Sequence, residues 1–194
     1  SMRVGDVQPS RMVAAQEAAK AFLAEVPRHI EVGLVTFAGT AQVAQRATID
    51  RPALVGAIDA IQMQYGTAIG NAIVVSLAEL FPDHGLDVGE MTFGASRPTQ
   101  GLGDRAGAVK PPPKEITPVP PGSYESAAII LLSDGRRTMG VDTLEAAKLA
   151  ADRGVRIYVV GLGTADGHTA MSEGMGIYLQ LDEPTLRSVA QITG

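Results

Sequence analysis

The chain contains no cysteine, which excludes disulfides, zinc–thiolate sites and thiol catalysis. Tryptophan is absent too, and four Phe and four Tyr are all the aromatic rings in 194 residues. That is too few for a base-stacking platform of the kind single-stranded nucleic acid needs. Excess positive charge is missing: 16 Lys and Arg stand against 21 Asp and Glu, a net charge of −5. No bulk attraction draws the chain to nucleic acid or to an anionic membrane surface. No run reaches the roughly 18 uninterrupted apolar residues that a membrane span requires, so no membrane contact is expected of these residues themselves. The three histidines, His29, His84 and His168, are scattered without ligand-like spacing, and zinc is not expected. Neither a Gly-x-x-x-x-Gly-Lys-Ser/Thr phosphate loop nor a Gly-x-Ser-x-Gly elbow occurs.

What remains is a chain that is 45% apolar, long enough to bury a sizeable core and too hydrophobic for general disorder. Helical and strand patterns alternate along it. Ser10 is a good N-cap for a first helix ending near Val26, before Pro27. Met12, Ala15, Ala19, Phe22, Leu23 and Val26 recur at helical spacing and are expected to face a sheet. Residues 30–37 are β-branched and apolar and read as a strand. A more polar edge strand over 41–48 follows the Gly39-Thr40 turn. Asp50 with Pro52 opens a helix to about Ile61. Another helix runs from about Ala68 to Leu80 and ends before Pro82.

Further on, residues 127–132 read as a buried strand. Asp142-Thr143-Leu144-Glu145 has capping-box spacing with Asp as the cap, and opens a helix that Gly154 ends. Residues 155–161 read as the next parallel strand. Residues 177–181 alternate weakly, as a small extension or hairpin arm, and Asp182 caps a last helix with Pro184 in its first turn. Strand–helix alternation of this kind predicts an α/β fold: a doubly wound, mostly parallel sheet flanked by helices. The expected organisation is one domain over 1–194.

One stretch breaks the pattern. Residues 85–122 hold seven of the twelve prolines and seven glycines, so long regular elements are not expected there. Pro111-Pro112-Pro113 and Pro118-Val119-Pro120-Pro121 should be locally extended. This Pro/Gly-rich insertion joins a helix to a strand. It therefore belongs at the amino ends of the strands, away from their carboxyl edge.

The most informative stretch is Ile129-Ile130-Leu131-Leu132-Ser133-Asp134-Gly135. It has the form of an interior parallel strand that stops at a carboxylate and a turn glycine. Ligands of open α/β sheets bind beyond the carboxyl ends of strands. A carboxylate there suits a hard cation such as Mg²⁺, and equally suits a turn or helix cap. Thr67, in Tyr65-Gly66-Thr67-Ala68-Ile69-Gly70-Asn71, has the same two readings, metal ligand or helix N-cap.

Taken with Ser1-Met2-Arg3 and Pro9-Ser10-Arg11-Met12, these segments resemble the von Willebrand factor A family, more closely its bacterial aerotolerance-operon (Bat-type) membrane proteins. In that family a metal-ion-dependent adhesion site joins an Asp-x-Ser-x-Ser motif, a Thr and a later Asp. By position, Ser1 matches the second Ser of the motif, Thr67 the Thr and Asp134 the later Asp. The motif's Asp and first Ser would fall upstream of Ser1. The chain thus matches the middle of the family domain, without its first strand or its last strand and helix. That first strand would sit between the strand at Ile30 and the strand at Ala127.

The resemblance implies a non-enzymatic interaction module that binds Mg²⁺ or Mn²⁺ and takes an Asp or Glu of a partner protein into the ion's coordination shell. It also implies a membrane-anchored parent in the bacterial cell envelope and a MoxR-type AAA+ ATPase system as candidate partner. The alternatives are a metal-free structural scaffold and a metal-assisted phosphatase, for which Asp134 would be a ligand but no nucleophile is evident. Gly161-Leu162-Gly163-Thr164-Ala165-Asp166-Gly167 resembles a dinucleotide loop with its third glycine one position late. Asp166 and His168 read as a surface turn on the same edge. Arg136 and Arg137 could meet an acidic partner, or simply be solvated surface.

Overall fold

The fold was analysed in a computed structural model that describes residues 10–93, 116–163, 168–172, 175–179 and 181–194. Helix α1, Arg11–Glu25, starts where Ser10 caps it, the hydroxyl accepting from the Val13 amide at 3.3 Å. Its inward positions are Arg11, Ala15, Ala19 and Leu23, one fourth-residue row down a single face. Phe22, expected to face the sheet, is exposed; it stands one residue, about 100° of helix, away from that row.

Strands β1, Val32–Phe37, and β2, Ala41–Thr48, form an antiparallel hairpin running from Val32 opposite Thr48 to Phe37 opposite Ala41. Helix α2, Arg51–Asp59, follows; the Asp50 carboxylate accepts from the Ala53 amide at 3.0 Å, and Pro52 lies in the first turn. Leu54 and Ile58 of α2 pack with Leu23 of α1 into a small apolar cluster beside Val32 and Leu34 of β1.

The larger core is built around α3, Ile69–Leu80. Its Ile69, Ile73, Val74 and Leu77 pack with Leu131 of β3 (Ala128–Ser133), Ala146, Ala147 and Ala150 of α5 (Thr143–Asp152), Ile157 of β4 (Arg156–Gly161), and Leu186 and Val189 of α6 (Glu183–Thr193). Small residues on α5 let three helices close on one strand pair. A short helix α4, Val88–Phe93, lies near the start of the Pro/Gly-rich insertion; residues 94–115 fall outside the described residues. Residues 116–120, which include Pro118, form neither helix nor strand.

The expected α/β class is what these elements form. β3 and β4 run parallel, in register from Ala128 opposite Arg156 to Ser133 opposite Gly161, with α5 as their crossover. The described strands make three pairs, the third being the antiparallel arm β5 (His168–Ser172) with β6 (Met175–Leu179). β1 and β3 do not pair with each other among the described residues. Those two strands therefore do not close over the position where the family's first strand would lie. His168 begins β5 rather than lying in a surface turn, and Asp166 lies outside the described residues.

Candidate functional site at the carboxyl edge of the strands

Asp134 follows directly on the last residue of β3 and is 2% exposed. Three contacts fix the turn it begins. The Ser133 hydroxyl accepts from the Gly135 amide at 3.1 Å, Asp134 Oδ1 accepts from the Arg136 amide at 3.2 Å, and the Asp134 carbonyl accepts from the Asp182 amide at 2.8 Å. Gly135 has φ +82, and a β-carbon there would lie 2.5 Å from the Asp182 carbonyl oxygen. Glycine is required at this turn by conformation and by space together. The Leu162 amide donates to the Ser133 carbonyl at 2.9 Å, which brings the loop after β4 to the same edge.

Thr67 arrives from the other side. The Ala68 amide donates to the Ala38 carbonyl at 2.7 Å, holding this loop at the carboxyl end of β1. Thr67 is not an N-cap: α3 is capped at Ala68, without a side-chain hydrogen bond. Instead its backbone is clamped to Thr138. The Thr67 amide donates to the Thr138 hydroxyl at 2.8 Å, and the Thr67 carbonyl accepts from the Thr138 amide at 2.9 Å. The Thr67 hydroxyl has no hydrogen-bond partner among the described residues. Asn71, in the first turn of α3, adds a buried tie: its Oδ1 accepts from the Val141 amide at 2.8 Å. The loops bearing Thr67 and Asp134 are therefore fastened to each other twice. Ser1, the third expected ligand, lies outside the described residues.

The residue that sequence reasoning missed is Arg11. Its side chain is 0% exposed, and Nη1 lies 3.3 Å from Asp134 Oδ2. The guanidinium also lies against the backbone of Gly163, just beyond β4. A β-carbon on Gly163 would sit 2.9 Å from Arg11 Cζ and Nη2, and Gly163 has φ +133. No sequence rule reads a burial of this kind, since an arginine in a first helical turn is normally solvated. The only signal was the absence of a side chain at Gly163. Arg137 is committed locally, donating to the Gly140 carbonyl at 3.0 Å and lying 3.5 Å from an Asp142 oxygen. Thr138 and Asn71 were missed as well; their side chains accept from backbone amides about 70 positions away, which leaves no local pattern.

The donor chemistry suits a hard cation: one carboxylate and a hydroxyl, oxygen only. The charge balance does not, while Arg11 stays in place, because the guanidinium already neutralises Asp134. Among the described residues no group of three or more His, Cys, Asp or Glu could hold a metal ion.

Comparison with known proteins gives three findings. A family model described as the von Willebrand factor type A domain matches residues 1–86. UPF0353 proteins of Mycobacterium tuberculosis and Mycobacterium leprae are 36% and 35% identical over 200 aligned positions. Those alignments cover all of this chain and 50% of each relative, so the chain spans about half the length of the curated relatives it matches. Among solved structures, the conserved hypothetical protein BatB from Bacteroides thetaiotaomicron superposes with a TM-score of 0.68 at 25% identity, covering all of this chain and 81% of that one. An aerotolerance-related membrane protein from Bacteroides fragilis shares the fold, with a TM-score of 0.67 at 23% identity over all of this chain and 82% of that one.

Proposed function

The chain belongs to the von Willebrand factor type A domain family, and from that premise we propose that it receives an acidic side chain of a partner protein at the rim formed by Thr67, Asp134 and Thr138. The observation that carries this reading is the clamp: a buried carboxylate ends β3, and the segment that follows it is tied through Thr138 to the loop bearing Thr67. A binding rim has to be preorganised if it is to recognise a partner without a large ordering cost.

The finer reading is divalent-dependent. Asp134 and Thr67 would hold Mg²⁺ or Mn²⁺, with Ser1 as the further ligand that the family pattern implies. Such an ion, when bound, offers an open coordination position to a partner's Asp or Glu. A MoxR-type AAA+ ATPase is the candidate partner system. The membrane-anchored parent in the cell envelope is also a proposal, drawn from the membrane protein among the structural neighbours; no helix among the described residues is long and apolar enough to cross a membrane. The phosphatase reading has less support: among the described residues, neither β1 nor β4 ends in a second carboxylate.

The test uses Mg²⁺ or Mn²⁺ alone. Thermal unfolding is compared in EDTA and in millimolar divalent salt, for the natural protein and for Asp134→Ala. An ion at 100 times its dissociation constant stabilises by about 2.7 kcal/mol, and Asp134→Ala should show none of that gain. Equal shifts in both proteins would remove Asp134 from the site. No shift in either would favour the metal-free scaffold.

A further inference from the structure

We propose that Arg11 is the resident cation of this site, and that its guanidinium and a divalent ion compete for Asp134. The inference rests on reading Asp134 as a metal ligand and adds to it a regulation of that ligand. Three observations carry it. The guanidinium is wholly buried and lies 3.3 Å from Asp134 Oδ2. Its place is shaped for it, since a side chain on Gly163 would collide with its central carbon. The other carboxylate oxygen accepts from the Arg136 amide at 3.2 Å, so each oxygen of Asp134 has a partner without an ion.

Arg11 is also the first residue of α1. A cation there meets the positive end of the helix dipole, which makes Asp134 the countercharge that keeps it buried. A divalent ion at Asp134 would stand within a few ångströms of a guanidinium shielded from water, where like charges repel strongly. Ion uptake therefore expels Arg11. Because Arg11 is the first helical residue, its departure loosens the first turn of α1, which is held by the Ser10 hydroxyl to Val13 at 3.3 Å and the Ser10 carbonyl to Ala14 at 2.9 Å. Metal occupancy and a docked start of α1 become alternative states of one site.

The test is calorimetric titration of Mn²⁺ into the full-length protein and its Arg11→Gln variant, with amide hydrogen exchange at Val13 and Ala14 in the unmutated protein with and without Mg²⁺. Competition predicts at least about tenfold tighter Mn²⁺ binding by Arg11→Gln, and faster exchange at both amides when Mg²⁺ saturates the unmutated protein. Equal affinities in two folded proteins that both bind would overturn the competition and leave Asp134 a ligand. Binding by neither would overturn the metal reading itself, and the competition with it. Should Arg11→Gln fail to fold, unchanged exchange at Val13 and Ala14 under saturating Mg²⁺ refutes the proposal on the unmutated protein alone.

Discussion

Replacing Arg11 by Met in metal-free buffer isolates what the buried ion pair does for the fold. Met fills much of the same volume without charge or donors, so Asp134, 2% exposed, is left as an uncompensated buried carboxylate. Breaking a buried pair from one side costs about 3–5 kcal/mol. In a chain of this length each kcal/mol moves the melting temperature by about 2–4 °C, so the expected loss is roughly 6–20 °C. Asp134→Asn should cost less, because its amide oxygen still accepts from a guanidinium. The decisive measurement is the double-mutant cycle, run by urea unfolding in EDTA. Arg11 makes further contacts, whose loss appears equally in Arg11→Met alone and in the double variant, and so cancels in the cycle. The double variant should be more stable than the sum of the single losses predicts, by about 2 kcal/mol or more. Additive losses, agreeing within about 0.5 kcal/mol, would mean that the 3.3 Å contact carries no coupling and that Arg11 is held by its other contacts.

Two other substitutions probe the scaffold. The Thr193 hydroxyl, fully buried at the end of α6, accepts from the Ile157 amide of β4 at 3.0 Å. Thr193→Val should therefore cost about 1–3 kcal/mol for the orphaned amide, while Thr193→Ser, which keeps the hydroxyl, should cost only about 0.8 kcal/mol for the lost methyl; equal losses by urea unfolding would refute the hydrogen-bond account. Gly135→Ala forces a β-carbon to within 2.5 Å of the Asp182 carbonyl at φ +82. It should lower the melting temperature by at least the 2–4 °C that corresponds to about 1 kcal/mol of backbone strain, and an unchanged melt would show that the turn after Asp134 tolerates another geometry.

The elements were largely legible because their signals are local. Ser10, Asp50, Asp142 and Asp182 each act as the cap the sequence predicts, all four side chains accepting from amides two or three residues ahead. The β3–β4 pair was readable from two apolar runs separated by a capped helix, and the carboxylate at the end of β3 from its abrupt stop. Tertiary geometry was not readable. The clamp between Thr67 and Thr138 spans 71 positions and the pair of Arg11 with Asp134 spans 123. Each joins loops whose residue types are ordinary for turns and first helical turns. Phe22 illustrates the same limit within one helix: spacing defines a broad apolar stripe, and only packing against α2 decides which edge of it is buried.

Taken together, the contacts at Asp134 explain why a charged group can be held at the end of a buried strand at all. An isolated carboxylate in this position would be strongly disfavoured. Here the Arg136 amide and the Arg11 guanidinium each take one oxygen, and the positive end of α1 stands behind the guanidinium. Carboxylate and guanidinium cancel, so the pair itself presents no net charge. Exchanging the guanidinium for a divalent ion would leave a net positive charge beside Asp134. On the reading of Asp134 as a metal ligand, an acidic partner side chain would then be complementary to the ion-bound state and not to the Arg11-paired one.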